Sequence, residues 1–392
     1  MERTLHFELT EFNIRLGAVK AEMAKRGLDI LLVSEPPNLN YLTGYDAYSF
    51  YTPQMAIVAL DSEEPIFITR GMDTTSAKMT TYLSDDSIRG FPDNYVNSSE
   101  QSAYEYVARV VKEIGGEKAT VGVEMGGYYY SARAHADLVK ALPQATFVDA
   151  DLLINWIRLV KSPAELALMR QAGQIGDLML KRGIETAQPG VRECDVVAAI
   201  YHQQLSGTPD FGGSYDSSAL HFCVGERALA PHSAWTDKPL PEKTIINFEV
   251  HGNRLRYQIN VSRTICIGKP SAAYEKLAGI ALEALEVGLE SVRPGRACSE
   301  VFGAFHKILA RHGIEKDQRI GYSIGIGYPP SVAERTVSIR KEEKTVLLPG
   351  MCFHLMTGLW LGDQAITVTQ PFAVTERGYE PLTLTPRTLV VK

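Results

Sequence analysis

The chain of 392 residues has neither a long apolar run nor a block of basic residues. No segment approaches the ~20 consecutive apolar residues that cross a bilayer as a helix, and the charged first residues lack the apolar core of a signal peptide. The net charge is −6, from 40 Lys and Arg against 46 Asp and Glu. These absences argue against a membrane or nucleic-acid partner, and we expect a cytoplasmic protein.

Cysteine is scarce as well, with five scattered residues and no Cys-x-x-Cys pair. An odd number of scattered cysteines does not suit a disulfide framework, and their spacing matches no structural zinc site. We therefore expect reduced thiols. Hydrophobic residues make up 45% of the chain and charged residues 22%, which is typical of a folded globular protein.

The length favours two domains. Residues 1–160 alternate between helical and strand patterns and predict a small α/β domain, beginning with a helix over 9–27 and containing an aromatic stretch at 38–51 that we expect to be a loop. A Ser-Pro-Ala-Glu pattern at 162–165 then predicts the capped start of a long helix. The second domain is therefore predicted over 161–392.

A repeated segment lies in the second predicted domain. GIETAQPGVRECDVV at Gly183–Val197 matches GLESVRPGRACSEV at Gly288–Val301, with one residue fewer in the second copy. An amphipathic helix lies on each side of each copy, and strand-like segments follow. This arrangement predicts an α+β domain with internal pseudo-twofold symmetry. The alternative is that Pro-Gly only separates two helices in each case.

A lone histidine precedes a predicted hairpin. His232 is followed by strand patterns over 244–250 and 257–267, and the His-Gly-Asn sequence at 251–253 predicts the turn between them, because Gly and Asn tolerate positive φ. One carboxylate, Glu249, stands at the end of the first strand. A histidine near an acidic residue on a hairpin is a candidate for catalysis or metal binding.

Four motifs make the chain resemble the creatinase, prolidase and aminopeptidase P superfamily. They are Pro231-His232, a hairpin over Asn247–Thr264 that ends in Ser-Arg-Thr, GYSIGIG over Gly321–Gly327, and LPGMCF over Leu348–Phe353. The resemblance covers nearly the whole chain. It implies the pita-bread fold, with an α/β N-terminal domain before a duplicated α+β catalytic domain. In its metallopeptidases, two Asp, one His and two Glu hold two metal ions, whose charge requires such donors.

These metal ligands are not retained at the matching positions. The first Asp position is Glu249, and the other four hold residues with neither a carboxylate nor an imidazole: Asn260, Tyr322, Met356 and Thr369. His354 and Asp363 lie nearby in the sequence and would restore such a site only in part. The comparison therefore implies the metal-free branch of the superfamily, with no metal and no other cofactor.

His232 and Glu249, seventeen residues apart, are the predicted catalytic pair. In the metal-free branch the histidine at this position is the acid or base, which the resemblance assigns to His232. Glu249 is expected to stabilise a cationic substrate carbon, to attack it or to orient water. The alternatives are a structural histidine and a buried acid paired with Arg256 or Arg263.

Within that branch the chain is most similar to ectoine hydrolases. The similar features are NFEVHG followed by Arg256-Tyr257, GYSIGIGYPP, Glu334-Arg335-Thr336 and FHLMTGLW. The implied reaction is metal-independent hydrolysis of a C–N bond in a cyclic amidine, the ring opening of ectoine to N-acetyl-diaminobutyrate. Because the ring carbon between two nitrogens is electrophilic when protonated, no Lewis acid is required.

The resemblance also implies substrate-binding residues in the second domain. Arg335 would clamp the substrate carboxylate as a planar fork, with an ion pair to Glu334 as the alternative. Tyr322 and Tyr257 would line the pocket, with a packing role as the alternative for each. Glu334 and His354 complete the predicted set.

Phe50 and Tyr51 match a loop that, in creatinase, enters the pocket of the partner subunit, so we expect them to line a neighbouring pocket in a homodimer. Three departures from the ectoine hydrolase pattern lie near the presumed site. Val332-Ala333 replaces Trp-Gly, Thr369-Gln370 lacks an acidic residue, and Gln258 replaces a histidine. The small-molecule substrate therefore stays open among ectoine, hydroxyectoine, another cyclic amidine or amide, and an acyclic guanidino acid.

Three other functions stay open on this sequence. They are a creatinase-like amidinohydrolase, an Xaa-Pro metallo-dipeptidase with unusual ligands, and a non-catalytic pita-bread protein that binds a partner. Turnover that a chelator abolishes would indicate the metallo-dipeptidase, since a metal-free hydrolase is not inhibited. A binding protein has no need of a reactive histidine, so His232→Ala would leave its function intact.

Overall fold

The computed structural model describes residues 3–392, which form two compact units, one ending at Arg158 and the other covering Leu159–Lys392. The division lies close to the boundary predicted after residue 160. All five cysteines are free thiols. Over residues 3–392, no helix combines the length and the apolar character needed to cross a membrane.

The first unit is a mixed sheet with helices. Its helices are α1 (Leu9–Lys25), α2 (Pro36–Thr43), α3 (Thr74–Thr80), α4 (Ala103–Glu113), α5 (Ala132–Ala141) and α6 (Leu153–Ile157). Its strands are β1 (Ile30–Val33), β2 (Met55–Ala59), β3 (Ile66–Arg70), β4 (Ile88–Phe91), β5 (Thr120–Val123) and β6 (Thr146–Asp149). The strand order is β4-β3-β2-β1-β5-β6, with β1 antiparallel to β2 and parallel to β5.

The stretch 38–51 is only partly a loop, because it begins inside α2. Pro36 occupies the first turn of α2, and Gly44 ends it with a φ of +84°. The helix is stabilised by buried tertiary hydrogen bonds, since Asn38 Nδ2 donates to Glu124 Oε1 at 2.6 Å. Because these partners are distant in sequence, local patterns could not predict the helix, and the aromatic composition of the stretch indicated a loop.

The second unit packs two helix pairs against a mainly antiparallel sheet. Its helices are α7 (Pro163–Thr186), α8 (Glu193–Ser206), α9 (Ala272–Glu290) and α10 (Cys298–Arg311). Its strands are β7 (His221–Val224), β8 (Thr244–Arg254), β9 (Tyr257–Ile267), β10 (Gly321–Tyr328), β11 (Ser331–Ile339), β12 (Cys352–Leu361), β13 (Gln364–Val374), β14 (Tyr379–Pro381) and β15 (Val390–Val391). The main strand order is β14-β13-β12-β10-β9-β8-β7. The predicted capping box at the start of α7 is present.

The predicted repeat corresponds to two equivalent helix–loop–helix segments. Gly190 and Gly295 have positive φ angles of 80° and 87° in the loops α7–α8 and α9–α10. The second helices of the two pairs begin at Glu193 and Cys298, which keeps the same spacing from each glycine. The two copies therefore align without a gap, so the second is not one residue shorter, and Cys194 is not the equivalent of Cys298.

The central hairpin turns later than the sequence predicted. β8 continues to Arg254, and the positive φ angles lie at Leu255 and Arg256, at +48° and +71°. Gly252 has a packing role instead, because a Cβ there would lie 2.0 Å from the carbonyl oxygen of Ala172 in α7. The prediction of a turn at 251–253 is wrong. His251 is consequently a strand residue, two positions from Glu249 and on the same face of the sheet.

The close approach of α7 to β8 is testable. We expect Gly252→Ala to lower the free energy of unfolding by about 3 kcal/mol, because the added Cβ overpacks this contact. Gly303→Ala is the matched control, since it lies inside α10 with nothing within 4 Å of the added Cβ and gains helix propensity. Denaturant titration measures both variants. A Gly252→Ala protein as stable as the unchanged one would contradict the packing argument.

Candidate active site

A cavity of about 580 Å³ lies against the sheet of the second unit. Both predicted catalytic residues line it. Glu249 contributes from β8, and its side chain is 16% exposed. His232 lies exposed in the loop that leads from β7 to β8. The ring of His221, also a lining residue, stands 5.3 Å from that of His232 in an edge-to-face contact.

The carboxylate of Glu249 is surrounded by hydrogen-bond donors. Ser262 Oγ donates to Oε2 at 2.6 Å, and Asn260 Nδ2 donates to Oε1 at 3.2 Å. His251 Nε2 lies 3.4 Å from Oε1. The two strands bring these residues together, since Glu249 is the cross-strand partner of Ser262 and His251 that of Asn260. Glu249 is thus held by neutral donors and an imidazole, rather than by the arginines considered above.

His251 connects Glu249 to a second carboxylate. Its Nδ1 lies 2.8 Å from Asp216 Oδ2, and its side chain is only 1% exposed. Burial by itself lowers the pKa of His251, but the charge and hydrogen bond of Asp216 and those of Glu249 outweigh it and raise the pKa to about 10. His251 is therefore an imidazolium at neutral pH, with a proton on each ring nitrogen.

Three further groups near Glu249, His354, His221 and Tyr322, are neutral at pH 7. Burial lowers the pKa of His354 to about 4 and lowers that of His221. Burial raises the pKa of Tyr322, whose hydroxyl lies 3.2 Å from His354 Nδ1. For Glu249 itself, burial favours the protonated form, but the hydrogen bond and charge of His251, with the charges that His354 and His221 gain only in acid, hold its pKa well below the usual range.

The buried charges below the cavity add up to a net negative charge. Asp216 and Glu249 are carboxylates, and His251 is the single imidazolium between them, which leaves a net charge of −1. Such a surface favours a cationic group above it.

Two cations line another part of the same cavity. The guanidinium of Arg319 stacks over the ring of Tyr322, with 4.6 Å from Cζ to the ring centroid, and it donates to Ser338 Oγ. Lys316 is buried, and its ammonium donates to the carbonyl oxygen of Gly358 at 2.9 Å. Both residues lie in the segment between α10 and β10, which the sequence patterns did not single out.

The five positions that hold metal ions in the metallopeptidases meet in this site. Asn260 Nδ2 lies 3.4 Å from the Tyr322 hydroxyl, and Met356 is the cross-strand partner of Thr369. Thr369 Oγ1 is occupied as an acceptor for the backbone N–H of Ser262 at 2.7 Å. With Glu249 as the only carboxylate, this donor set does not fit two divalent ions. Within residues 3–392, no group of three or more His, Cys, Asp and Glu is arranged to hold a metal.

Other predicted substrate-binding residues lie elsewhere in the second unit. The hydroxyl of Tyr257 donates to Glu165 Oε1 at 2.8 Å, inside the core. Glu334 forms an ion pair of 2.6 Å with Lys161, and both side chains are 1% exposed. Arg335 follows in β11 with a φ of +64°. Of the described residues that line the cavity, none is Tyr257, Glu334 or Arg335, whereas Tyr322 does line it.

Two predicted residues belong to the first unit. Tyr51 is 72% exposed, and the ring of Phe50 makes an edge contact with that of Tyr129 at 5.9 Å. Their place in the pocket of a second subunit stays a prediction.

The sequence analysis missed His221, His251 and Asp216. A signal existed for His251, because strand alternation places residue 251 on the same face as Glu249 once the strand is allowed to continue. His221 begins a strand of only four residues, which has too few positions to show alternation. Asp216 lies in an irregular segment, where no periodic pattern predicts the direction of a side chain.

Two family models match this chain, one over each of its two units. The two-domain architecture defines a pita-bread protein. The model for metallopeptidase family M24 matches residues 167–376, and the model for the creatinase/prolidase N-terminal domain matches residues 15–160. The chain therefore belongs to metallopeptidase family M24 of the creatinase and prolidase superfamily. The superfamily and the fold class predicted from the sequence are confirmed, and the chain is placed among hydrolases.

Two relatives and one solved structure are especially similar. Ectoine hydrolase of Halomonas elongata is 38% identical, covering 99% of this chain and 99% of that protein. The uncharacterised hydrolase/peptidase y4tM of Sinorhizobium fredii is 50% identical over 100% of both chains. A prolidase from Thermococcus sibiricus superposes with a TM-score of 0.84 at 19% identity, over 97% of this chain and 99% of that one, which shows a common fold.

The protonation states of two histidines are a direct test of the site. We expect ring NMR of labelled histidine to show His251 charged up to about pH 10 and His354 neutral down to about pH 4. The ordinary pKa of histidine is about 6.5. His251 therefore contributes stability that is complete below about pH 6.5 and is lost as the pH rises towards 10. The variants His251→Gln and His354→Gln assign the two signals. A His251 that titrates near 6.5 would contradict the Asp216–His251–Glu249 arrangement.

Proposed function

We propose that the chain is a metal-independent hydrolase that opens a cyclic amidine carrying a carboxylate, with ectoine as the first candidate substrate. The observation that carries this proposal is the charge pattern of the cavity. A net negative charge lies around Glu249, while the guanidinium of Arg319, stacked on Tyr322, and the ammonium of Lys316 line the same cavity, together with the carboxylate of Glu315. This pattern is complementary to a small zwitterion with an amidinium at one end and a carboxylate at the other.

The similarity to ectoine hydrolase of Halomonas elongata supports the same substrate class. Ectoine is a zwitterion of this kind, since its ring amidine is protonated at neutral pH and it carries a carboxylate. An amidinium carbon is already electrophilic, so a metal is not needed to polarise it. The donor set around Glu249 agrees with chemistry in which the substrate supplies its own activation.

Glu249 acts in this proposal as an anion. A general base works best with a pKa near the working pH, whereas the pKa of Glu249 is held well below the usual range. It is therefore suited to stabilise the amidinium, or to attack its carbon, and less suited to remove a proton from water.

His232 is the proposed proton donor, because it is exposed at the cavity and free to approach the substrate. In the net reaction, an oxygen from water adds to the ring carbon and one C–N bond breaks. The electron pair of that bond stays on the departing nitrogen, which takes a proton from His232, and the water that adds to the carbon gives up a proton to His232, so the imidazole returns to its starting state. The products are an amide and an amine on one open chain.

The same charge pattern favours one second candidate. Creatine and related guanidino acids also join a cation to a carboxylate, so a creatinase-like amidinohydrolase fits the cavity charges. The two candidates differ in shape, since ectoine is a ring and creatine is acyclic. Direct comparison of the substrates decides between them.

Turnover of a substrate panel tests the proposed function. We expect mass spectrometry to show ring opening of ectoine or hydroxyectoine, unchanged by a chelator, and no cleavage of Xaa-Pro dipeptides. Glu249→Gln and His232→Asn should each lower kcat at least ~100-fold while the protein stays folded, because each removes one chemical role. Turnover that needs added metal, or that persists in Glu249→Gln, would overturn the proposal.

Arg319 is the proposed partner of the substrate carboxylate. We expect Arg319→Gln to raise KM about 10-fold or more with a smaller change in kcat, since it removes a charge-assisted contact made in ground and transition state alike. Arg335→Gln tests the position implied by the family resemblance, and we expect a smaller effect on KM. Arg311→Gln, an exposed arginine in α10, is the matched control. A KM raised by Arg335→Gln and not by Arg319→Gln would reverse the assignment.

A further inference from the structure

We propose that Asp216 and His251 are positioning residues that hold Glu249 as an oriented anion for the reaction, an inference that rests on the proposed function. The three side chains form one continuous path. Asp216 Oδ2 lies 2.8 Å from His251 Nδ1, and His251 Nε2 lies 3.4 Å from Glu249 Oε1. The exposed fractions along the path are 7%, 1% and 16%, so the path leads from the interior to the cavity.

Asp216 is itself held in place. Its Oδ1 accepts the backbone N–H of Ser218 at 3.3 Å, which leaves Oδ2 for His251. Because Asp216 accepts the proton on Nδ1, the proton on Nε2 is directed at Glu249. The ring therefore has one orientation and one role for each nitrogen.

A charged group at this place is costly for folding alone. Buried ions lose hydration, and replacing such groups by well-packed apolar residues is often neutral or stabilising. A neutral donor would serve a purely structural hydrogen bond, as Asn260 and Ser262 already do for the same carboxylate. An imidazolium adds positive charge next to Glu249, which keeps the carboxylate ionised beside a cationic substrate.

The groups around His251 determine what happens when Asp216 is changed. Among residues 3–392, Glu249 then remains as the only carboxylate facing the ring, and Ser218 Oγ lies 3.5 Å from Nδ1. The ring of His221 stands 6.2 Å away, and the field of His354 acts on the same group of side chains. A histidine ring carries no negative charge in either protonation state, so neither of them replaces Asp216. His251 would then lose its proton at a lower pH and stop donating to Glu249.

The pH profile of Asp216→Asn tests this inference. We expect kcat to fall about 100-fold with little change in KM, and a new loss of activity to appear at a pH below the value of about 10 at which His251 titrates in the unchanged protein. Asp216→Glu keeps the carboxylate and should restore part of kcat and the original profile. Asp177→Asn is the matched control, because Asp177 also accepts backbone N–H groups, those of Leu384 and Thr385, in the same unit. Asp216→Asn with an unchanged kcat and pH profile would overturn the proposal.

A second measurement does not depend on turnover. Ring NMR of His251 in the unchanged protein and in Asp216→Asn reports its protonation whatever the substrate is. If no substrate in the panel reacts, the proposed function fails. The pairing of Asp216 with His251 is still supported if the His251 ring is protonated at neutral pH in the unchanged protein and neutral in Asp216→Asn. If ectoine reacts and His251 titrates alike in both proteins, the positioning role fails and the proposed function stands.

Discussion

The active-site region depends on the burial of one carboxylate, that of Glu249. An ion that leaves water must recover its lost hydrogen bonds and charge compensation within the protein. In a two-metal site, metal ions provide that compensation. Here Ser262 and Asn260 provide hydrogen bonds and the imidazolium of His251 provides positive charge. The net negative charge around Glu249 and the low pKa of its carboxyl group follow from this replacement of metal ions by hydrogen bonds and one imidazolium.

The hairpin β8–β9 makes the arrangement possible. In an antiparallel pair, alternate residues point to one face, and partners on neighbouring strands lie within contact distance. Glu249 and His251 share a face of β8, and their cross-strand partners are Ser262 and Asn260. The packing of α7 on Gly252 holds this register. A slip by one residue would turn all four side chains away from the cavity.

Much of the fold was readable from local patterns. The capping box at Ser162, the repeat around Gly190 and Gly295, and the strands of the hairpin all depend on neighbours close in sequence. The predictions were less secure where one residue type suits two structural roles. Gly252 was assigned to a turn, since glycine tolerates positive φ, but its use is to let α7 approach. Glu334 was predicted to bind substrate, which stays a prediction, and its carboxylate forms a buried ion pair with Lys161.

The sequence by itself determined the superfamily, the two-domain α/β and α+β architecture, and the presence of a single carboxylate among the former ligand positions. These properties follow from periodicity, caps and residue identity at fixed spacings. Only the tertiary structure decided which groups surround Glu249. Asp216 precedes it by more than thirty residues and Arg319 follows it by seventy, so their proximity depends on how strands and loops pack. Charge and pKa respond to distance in space, and spacing along the chain does not fix that distance.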